Sequence, residues 1–217
     1  MIDQSVLKIF SEKTYIFWDF DGVIKDSVRV KSDAFGKLFE SLGDDVIERI
    51  KIHHETNAGI SRFEKIPVYL GWAGRTPSTE SIAEYADRFS KLVKQKVIES
   101  DWVPGVLDFI RCRSSKMTFF LVTATPQPEI EEILDVSELR QYFRRVVGSP
   151  TAKQDAIQML INEFTISRDK ALMVGDTMAD YKAAMANRIS FVLRRNDSNQ
   201  VLQGKLTCPM IDDFNDG

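Results

Sequence analysis

Two aspartates spaced by one residue, Asp19 and Asp21, close the apolar run Tyr15-Ile16-Phe17-Trp18 and precede Gly22. In extended backbone, side chains at i and i+2 project to the same side, about 6–7 Å apart. Two carboxylates held that way repel each other unless they share a cation or a proton. The pattern therefore suits metal ligation or proton transfer at a strand's carboxyl end. The competing reading is a solvated pair in a turn, where Asp and Gly are common.

Partners for the pair recur downstream at the ends of other apolar runs. One run closes as Leu121-Val122-Thr123-Ala124-Thr125-Pro126, another as Gly175-Asp176-Thr177-Met178-Ala179-Asp180. Between them, Thr151-Ala152-Lys153-Gln154 reads as a capped helix start with Lys153 in its first turn. A cation there opposes the helix dipole, so an anionic neighbour is required. Taken singly, Thr123 could cap the segment that follows, Lys153 could be an exposed helix residue, and Asp180 a surface acid.

The elements that must position these residues read as a parallel sheet with crossover helices. Apolar runs at 15–18, 116–123, 145–148, 171–175 and 189–194 are strand-length, and most are separated by helix-length segments. A short edge strand is expected near Met210. The interval from Asp21 to Met117 is far longer than one crossover needs. It is helical in pattern. Ala34, Phe35, Leu38, Phe39 and Leu42 recur at helical spacing before Gly43, Ser61-Arg62-Phe63-Glu64 has the form of a capping box, and Pro77-Ser78 opens a third helix. The expected organisation is an α/β, Rossmann-like parallel core (1–27 and 101–217) with a helical cap inserted after the first strand (28–100). Ligands of such sheets bind beyond the carboxyl ends of the strands, where all the polar features would meet.

With 217 residues the chain is long enough for one good-sized core and a smaller appended unit. Basic and acidic residues nearly balance, 29 against 32, so no global field would draw nucleic acid or an anionic membrane. Cys112 and Cys208 are too few for a disulfide framework and lack metal-ligand spacing. The start of the chain has no signal-peptide core and no apolar stretch reaches membrane-spanning length. A cytoplasmic protein with a small-molecule partner is the expectation; the oligomeric state is left open.

Together these residues resemble the haloacid dehalogenase superfamily of hydrolases over nearly the whole chain. Asp19-Phe20-Asp21-Gly22 matches the family's first motif, Thr123 the second, Lys153 the third, and Gly175 to Asp180 the fourth. The resemblance implies that Asp19 is the nucleophile that becomes an aspartyl phosphate, with Asp21 as general acid and base. It implies Thr123 and Lys153 as catalytic partners that bind phosphoryl oxygens. Mg²⁺ is the implied cofactor, held by the Asp19 carboxylate, the Asp21 backbone carbonyl and Asp176, with Asp180 at the same metal site or orienting Lys153. Gly22, Ala124, Lys31 and Arg62 are the expected substrate contacts. An acid at position 21 favours phosphoryl chemistry, since family dehalogenases lack it.

The implied activity is hydrolysis of a small phosphomonoester, a phosphosugar or phosphorylated small acid. The alternative enzyme is a phosphomutase of the beta-phosphoglucomutase type, but such mutases carry a histidine where this chain has Lys31. Non-enzymatic alternatives are a phospho-receiver or an inactive binding module. In the cap, Arg62 either grips the far end of the substrate or faces solvent. His53 and His54 are the only histidines, and their adjacency does not suit joint metal ligation; an ordinary structural role is expected of them.

Overall fold

The computed structural model describes residues 4–215. Residues 1–3 and 216–217, which the expected boundaries include in the core, lie outside the described residues. Helix α1 (Gln4–Ser11) leads into β1 (Tyr15–Trp18), and four helices make up the insertion that follows: α2 (Val28–Leu38), α3 (Asp44–Thr56), α4 (Arg62–Trp72) and α5 (Thr79–Glu99). The chain then alternates through α6 (Val106–Arg113), β2 (Thr118–Pro126), α7 (Gln127–Val136), β3 (Phe143–Ser149), α8 (Lys153–Glu163), β4 (Ala171–Gly175), α9 (Met178–Ala186) and β5 (Ser190–Arg194). It ends with α10 (Gln200–Gln203) and β6 (Met210–Ile211). The six strands form one sheet in the order β3-β2-β1-β4-β5-β6, every pairing parallel. The α/β core and the helical insertion are thus as the sequence indicates.

Strand β1 is central because both its faces are apolar. Ile16 and Trp18 pack into one cluster with α6 and α7, while Phe17 packs into the other with α8 and α9. Trp18 is fully buried, its ring edge-on to Phe119 at 5.6 Å and Phe109 at 5.8 Å. Truncating it to alanine would cost about 3–5 kcal/mol, the range for large aromatic losses in cores.

The first cluster continues without a break into the cap. Phe35 and Phe89 lie with ring centroids 3.9 Å apart, Phe35 and Tyr69 5.3 Å apart, and the same buried set runs on to Ile130, Ile133 and Leu134 of α7. Cap and core are therefore joined by shared apolar burial as well as by the two chain crossings.

Some local expectations need correction. Strand β2 runs on through Pro126, so Ala124 and Thr125 belong to it. Gly43 does not stop the first cap helix: α2 already ends at Leu38, and Gly43, with φ 85°, precedes α3. Ser61 caps α4 by accepting from the Phe63 amide at 3.3 Å, and the capping box in this region is instead Ser78 with Ser81 on α5. Thr151 does not cap α8, whose N-cap is Ala152. Periodicity does not single out α3, because its apolar residues are few and only Ile50 and His54 are buried.

Candidate active site

At the carboxyl edge of β1, the backbone turns so that Asp19 and Asp21 face different partners. Asp19 is buried; its Oδ1 accepts from the Phe20 amide at 2.8 Å and its Oδ2 lies 2.8 Å from Lys153 Nζ. Burial, then the Asp180 charge, push its pKa to about 7 against the pull of Lys153. Lys153 reaches in from the first position of α8 and also donates to Asp180 Oδ1 at 2.6 Å. Burial alone would lower the lysine's pKa, but Asp180 and Asp19 outweigh it and raise it above the usual value. The requirement for an anion beside this cation is met twice.

Asp180 is fully buried and closes a capping box on α9: its Oδ2 accepts from the Thr177 amide at 3.1 Å and from Thr177 Oγ1 at 2.6 Å. Asp176, just past β4, accepts from Asn196 Nδ2 at 2.8 Å through Oδ2, while Oδ1 is buried without a hydrogen-bond partner. Burial, then Asp19 and Asp180, push its pKa well above the usual carboxylate range. Ligand atoms of Asp19, Asp176 and Asp180 lie within 4.8 Å of one another. An orphaned carboxylate oxygen among mutually repelling acids fits a hard divalent cation. Gly22 belongs here for a steric reason: with φ +78°, a Cβ on it would sit 2.1 Å from Asp176 Oδ2.

The Asp21 carboxylate is not in that group. It accepts from Lys31 Nζ at 2.5 Å, Ser27 Oγ at 2.6 Å and Thr125 Oγ1 at 3.0 Å. Burial would raise its pKa, but the Lys31 charge and these three donors win and hold it below the usual value. Thr123 is buried on β2, and its hydroxyl accepts from the Thr125 amide at 3.2 Å, leaving its own proton to donate. Sequence reasoning missed Thr125, although it lies two residues beyond Thr123 on the same side of the strand. It also missed Ser27 and Asn196, which carry no motif signal.

The cap closes over this edge. A Cβ on Gly59 would meet Thr177 Oγ1 at 2.3 Å, so the loop before α4 sits directly on the start of α9. Two clefts open along the seam: one of about 360 Å³, bounded by Glu55, Asn57, Asp176, Met178 and Lys205, and one of about 210 Å³, bounded by Ser61, Ala124, Lys153 and Lys182. Between them is a smaller cavity of about 30 Å³ whose lining includes Asp21, Lys31, His54, Arg62, Lys65 and Ala124.

Arg62 does not face solvent. Its guanidinium is closed on Glu129 of α7 at 2.9 and 2.6 Å, donates to Ser90 Oγ at 2.6 Å, and lies over the Phe89 ring. It therefore ties cap to core at the cavity wall. His53 Nδ1 lies 3.1 Å from Tyr69 Oη. His54 is buried in the cavity wall, its Nδ1 3.1 Å from Lys65 Nζ and its Nε2 without a hydrogen-bond partner among the described residues. Burial, then the Lys65 charge, hold the His54 pKa well below the usual value. Burial and the Lys31 charge do the same to Lys65.

The profile of haloacid dehalogenase-like hydrolases matches residues 16–193, a span containing every one of these groups except Asn196 and Lys205. The chain belongs to this family. Curated relatives of this hydrolase include a phosphorylated carbohydrates phosphatase from Thermotoga maritima, 23% identical over 78% of this chain and 79% of that protein. A phosphoglycolate phosphatase from Pseudomonas putida is 24% identical over 82% of this chain and 67% of its own length. Among solved structures, CbbY from Rhodobacter sphaeroides, in complex with xylulose-(1,5)bisphosphate, superposes with a TM-score of 0.75 at 16% identity, covering 93% of this chain and 95% of that one. Among the described residues no helix is long and apolar enough to cross a membrane, and Cys112 and Cys208 are free.

Proposed function

We propose that this hydrolase is a phosphatase that cleaves small phosphomonoesters through an aspartyl phosphate. The observation that carries the reading is the Asp19–Lys153–Asp180 chain, with both ion pairs buried at 2.8 and 2.6 Å. A carboxylate held against a fixed ammonium is oriented for in-line attack, and the same ammonium offsets charge on the phosphoryl group. Asp180 then serves to hold Lys153 and the start of α9, since its oxygens are already engaged.

Asp19 attacks phosphorus, forming an acyl phosphate as the bond to the leaving oxygen breaks. Asp21, after taking up a proton from solvent, gives it to that oxygen and, as carboxylate, takes a proton from the water that later attacks the acyl phosphate. Its contacts with Lys31, Ser27 and Thr125 present it in the ionised form that the second half requires. Thr123 donates to a phosphoryl oxygen from the floor of the site. The residues fit Mg²⁺, with the Asp19 and Asp176 carboxylates and the Asp21 carbonyl as its holders. When bound, the cation supplies charge neutralisation that keeps Asp19 ionised and offsets the phosphoryl oxygens.

The names of the relatives support a phosphosugar or a phosphorylated small acid as substrate. The closed cap supports the same size limit. Lys31 stands where the resembling mutases carry histidine, and its ammonium is engaged by Asp21, which favours hydrolysis over the mutase alternative. The test is phosphate release with Mg²⁺ from an aryl phosphate and a panel of phosphosugars and phosphorylated acids. Acid quenching should trap phosphoprotein in the wild type and none in Asp19→Asn. Absence of release from every ester, with the protein folded and Mg²⁺ saturating, refutes the proposal.

A further inference from the structure

The small cavity between cap and core is walled by cations, and one of them lacks a counter-ion. Lys31 is neutralised by Asp21 and Arg62 by Glu129. Lys65 is 2% exposed and makes no ion pair among the described residues; its Nζ meets only His54 Nδ1 at 3.1 Å and the Ala58 carbonyl at 3.4 Å. It lies in the first turn of α4, where the helix dipole also disfavours a cation. A buried ammonium at such a place is costly unless an anion arrives to meet it.

The orphaned Nε2 of His54 is a second observation that points the same way. His54 is 3% exposed. With Nδ1 accepting from the Lys65 ammonium, the neutral ring carries its proton on Nε2. The cavity therefore presents two hydrogen-bond donors, Lys65 Nζ and His54 Nε2, with no acceptor assigned to the latter. Its occupant must accept hydrogen bonds, and negative charge on it offsets the burial and the Lys31 charge that weigh against the Lys65 ammonium. At about 30 Å³ the cavity is the smallest of the three spaces along the seam, and a planar carboxylate needs less room there than a tetrahedral phosphoryl group. Asp21 and Ala124 line the same cavity, so its mouth opens onto the reacting edge.

We infer that the substrate carries a carboxylate at the end remote from its phosphate, and that Lys65 and His54 of the cap receive it. The inference rests on the phosphatase reading for its consequence in turnover, although binding can be read without turnover. Nothing in the family motifs marks Lys65; it is recognised by its burial and by the lack of a compensating charge.

The experiment compares ligand pairs that differ at the remote group. By calorimetry with Mg²⁺ present, phosphonoacetate is expected to bind about tenfold to a hundredfold tighter than ethylphosphonate, the range for a charge-assisted contact. In turnover, phosphoglycolate is expected to exceed 2-hydroxyethyl phosphate in kcat/KM by a similar margin. Lys65→Met keeps chain length and removes the charge, and it should reduce both margins to within about threefold. Lys65→Gln, which keeps a donor, should hold an intermediate margin, and it serves if the methionine variant does not fold. Equal binding of the two phosphonates by wild type overturns the inference, as does a full margin in the Lys65 variants. A phosphonoacetate margin that depends on Lys65, without hydrolysis of any ester, upholds the carboxylate site and rejects the phosphatase reading.

Discussion

Replacing Glu129 with glutamine should destabilise the protein severely, because it strands the guanidinium of Arg62. The two side chains are 4% and 5% exposed and meet through two hydrogen bonds of 2.9 and 2.6 Å. Glutamine can fill the volume but cannot neutralise the charge, and Lys31 and Lys65 line the same cavity. Removing one partner of a buried pair costs about 3–5 kcal/mol. For a chain of this size each kcal/mol lowers the melting temperature by about 2–4 °C, so the expected loss is about 6–20 °C. Removing both charges is a different perturbation: Arg62→Met with Glu129→Leu replaces the pair by apolar volume against Phe89 and should recover most of the loss. Circular dichroism melts of the wild type, Arg62→Met, Glu129→Leu and the double variant close a thermodynamic cycle. A Glu129→Gln melting point within 3 °C of wild type would refute the argument. So would a double variant as unstable as the two singles added together.

Asp19→Asn should lower turnover by several orders of magnitude and leave no acid-trapped phosphoprotein; activity within tenfold of wild type refutes its role as nucleophile. In chelator, the raised pKa of Asp19, about 7 against 3.8, means the folded state holds a proton that the unfolded state releases. Metal-free stability should therefore fall as pH rises from about 4 to about 7, and saturating Mg²⁺ should remove that slope; denaturant melts across this window decide it. Lys31→Met removes the charge that most opposes burial at Asp21, so the Asp21 pKa rises and the acid limb of the kcat–pH profile should move to higher pH. An unmoved limb refutes the assignment of that limb to Asp21. Gly59→Ala forces the cap off Thr177 and should cost about 1–3 kcal/mol in kcat/KM, about fivefold to 150-fold, through cap closure. Unchanged kinetics would show that the seam yields.

The sequence by itself determined the parallel core and the place of the helical insertion. Alternation of apolar runs with helix-length segments has few other solutions, and the runs at 15–18 and 171–175 coincide with β1 and β4 residue for residue. It also picks out Asp19, Asp21, Thr123, Lys153 and Asp176 as candidates, because the three acids follow apolar strands, Thr123 lies near the end of another apolar run and Lys153 opens a helix. Tertiary structure decided what those groups and their neighbours are paired with. Arg62 and Glu129 lie in different elements far apart in the chain, and nothing local marks them as partners; only the docking of α4 and α5 against α7 makes the pair. Likewise Lys65 and His54 look like ordinary polar residues of two cap helices. Their burial is set by the long-range packing of Phe35, Tyr69 and Phe89, which seals the cap and leaves Lys65 without an ion pair among the described residues. Local periodicity sets which face of a helix is apolar; which charge lacks its opposite depends on the faces that meet.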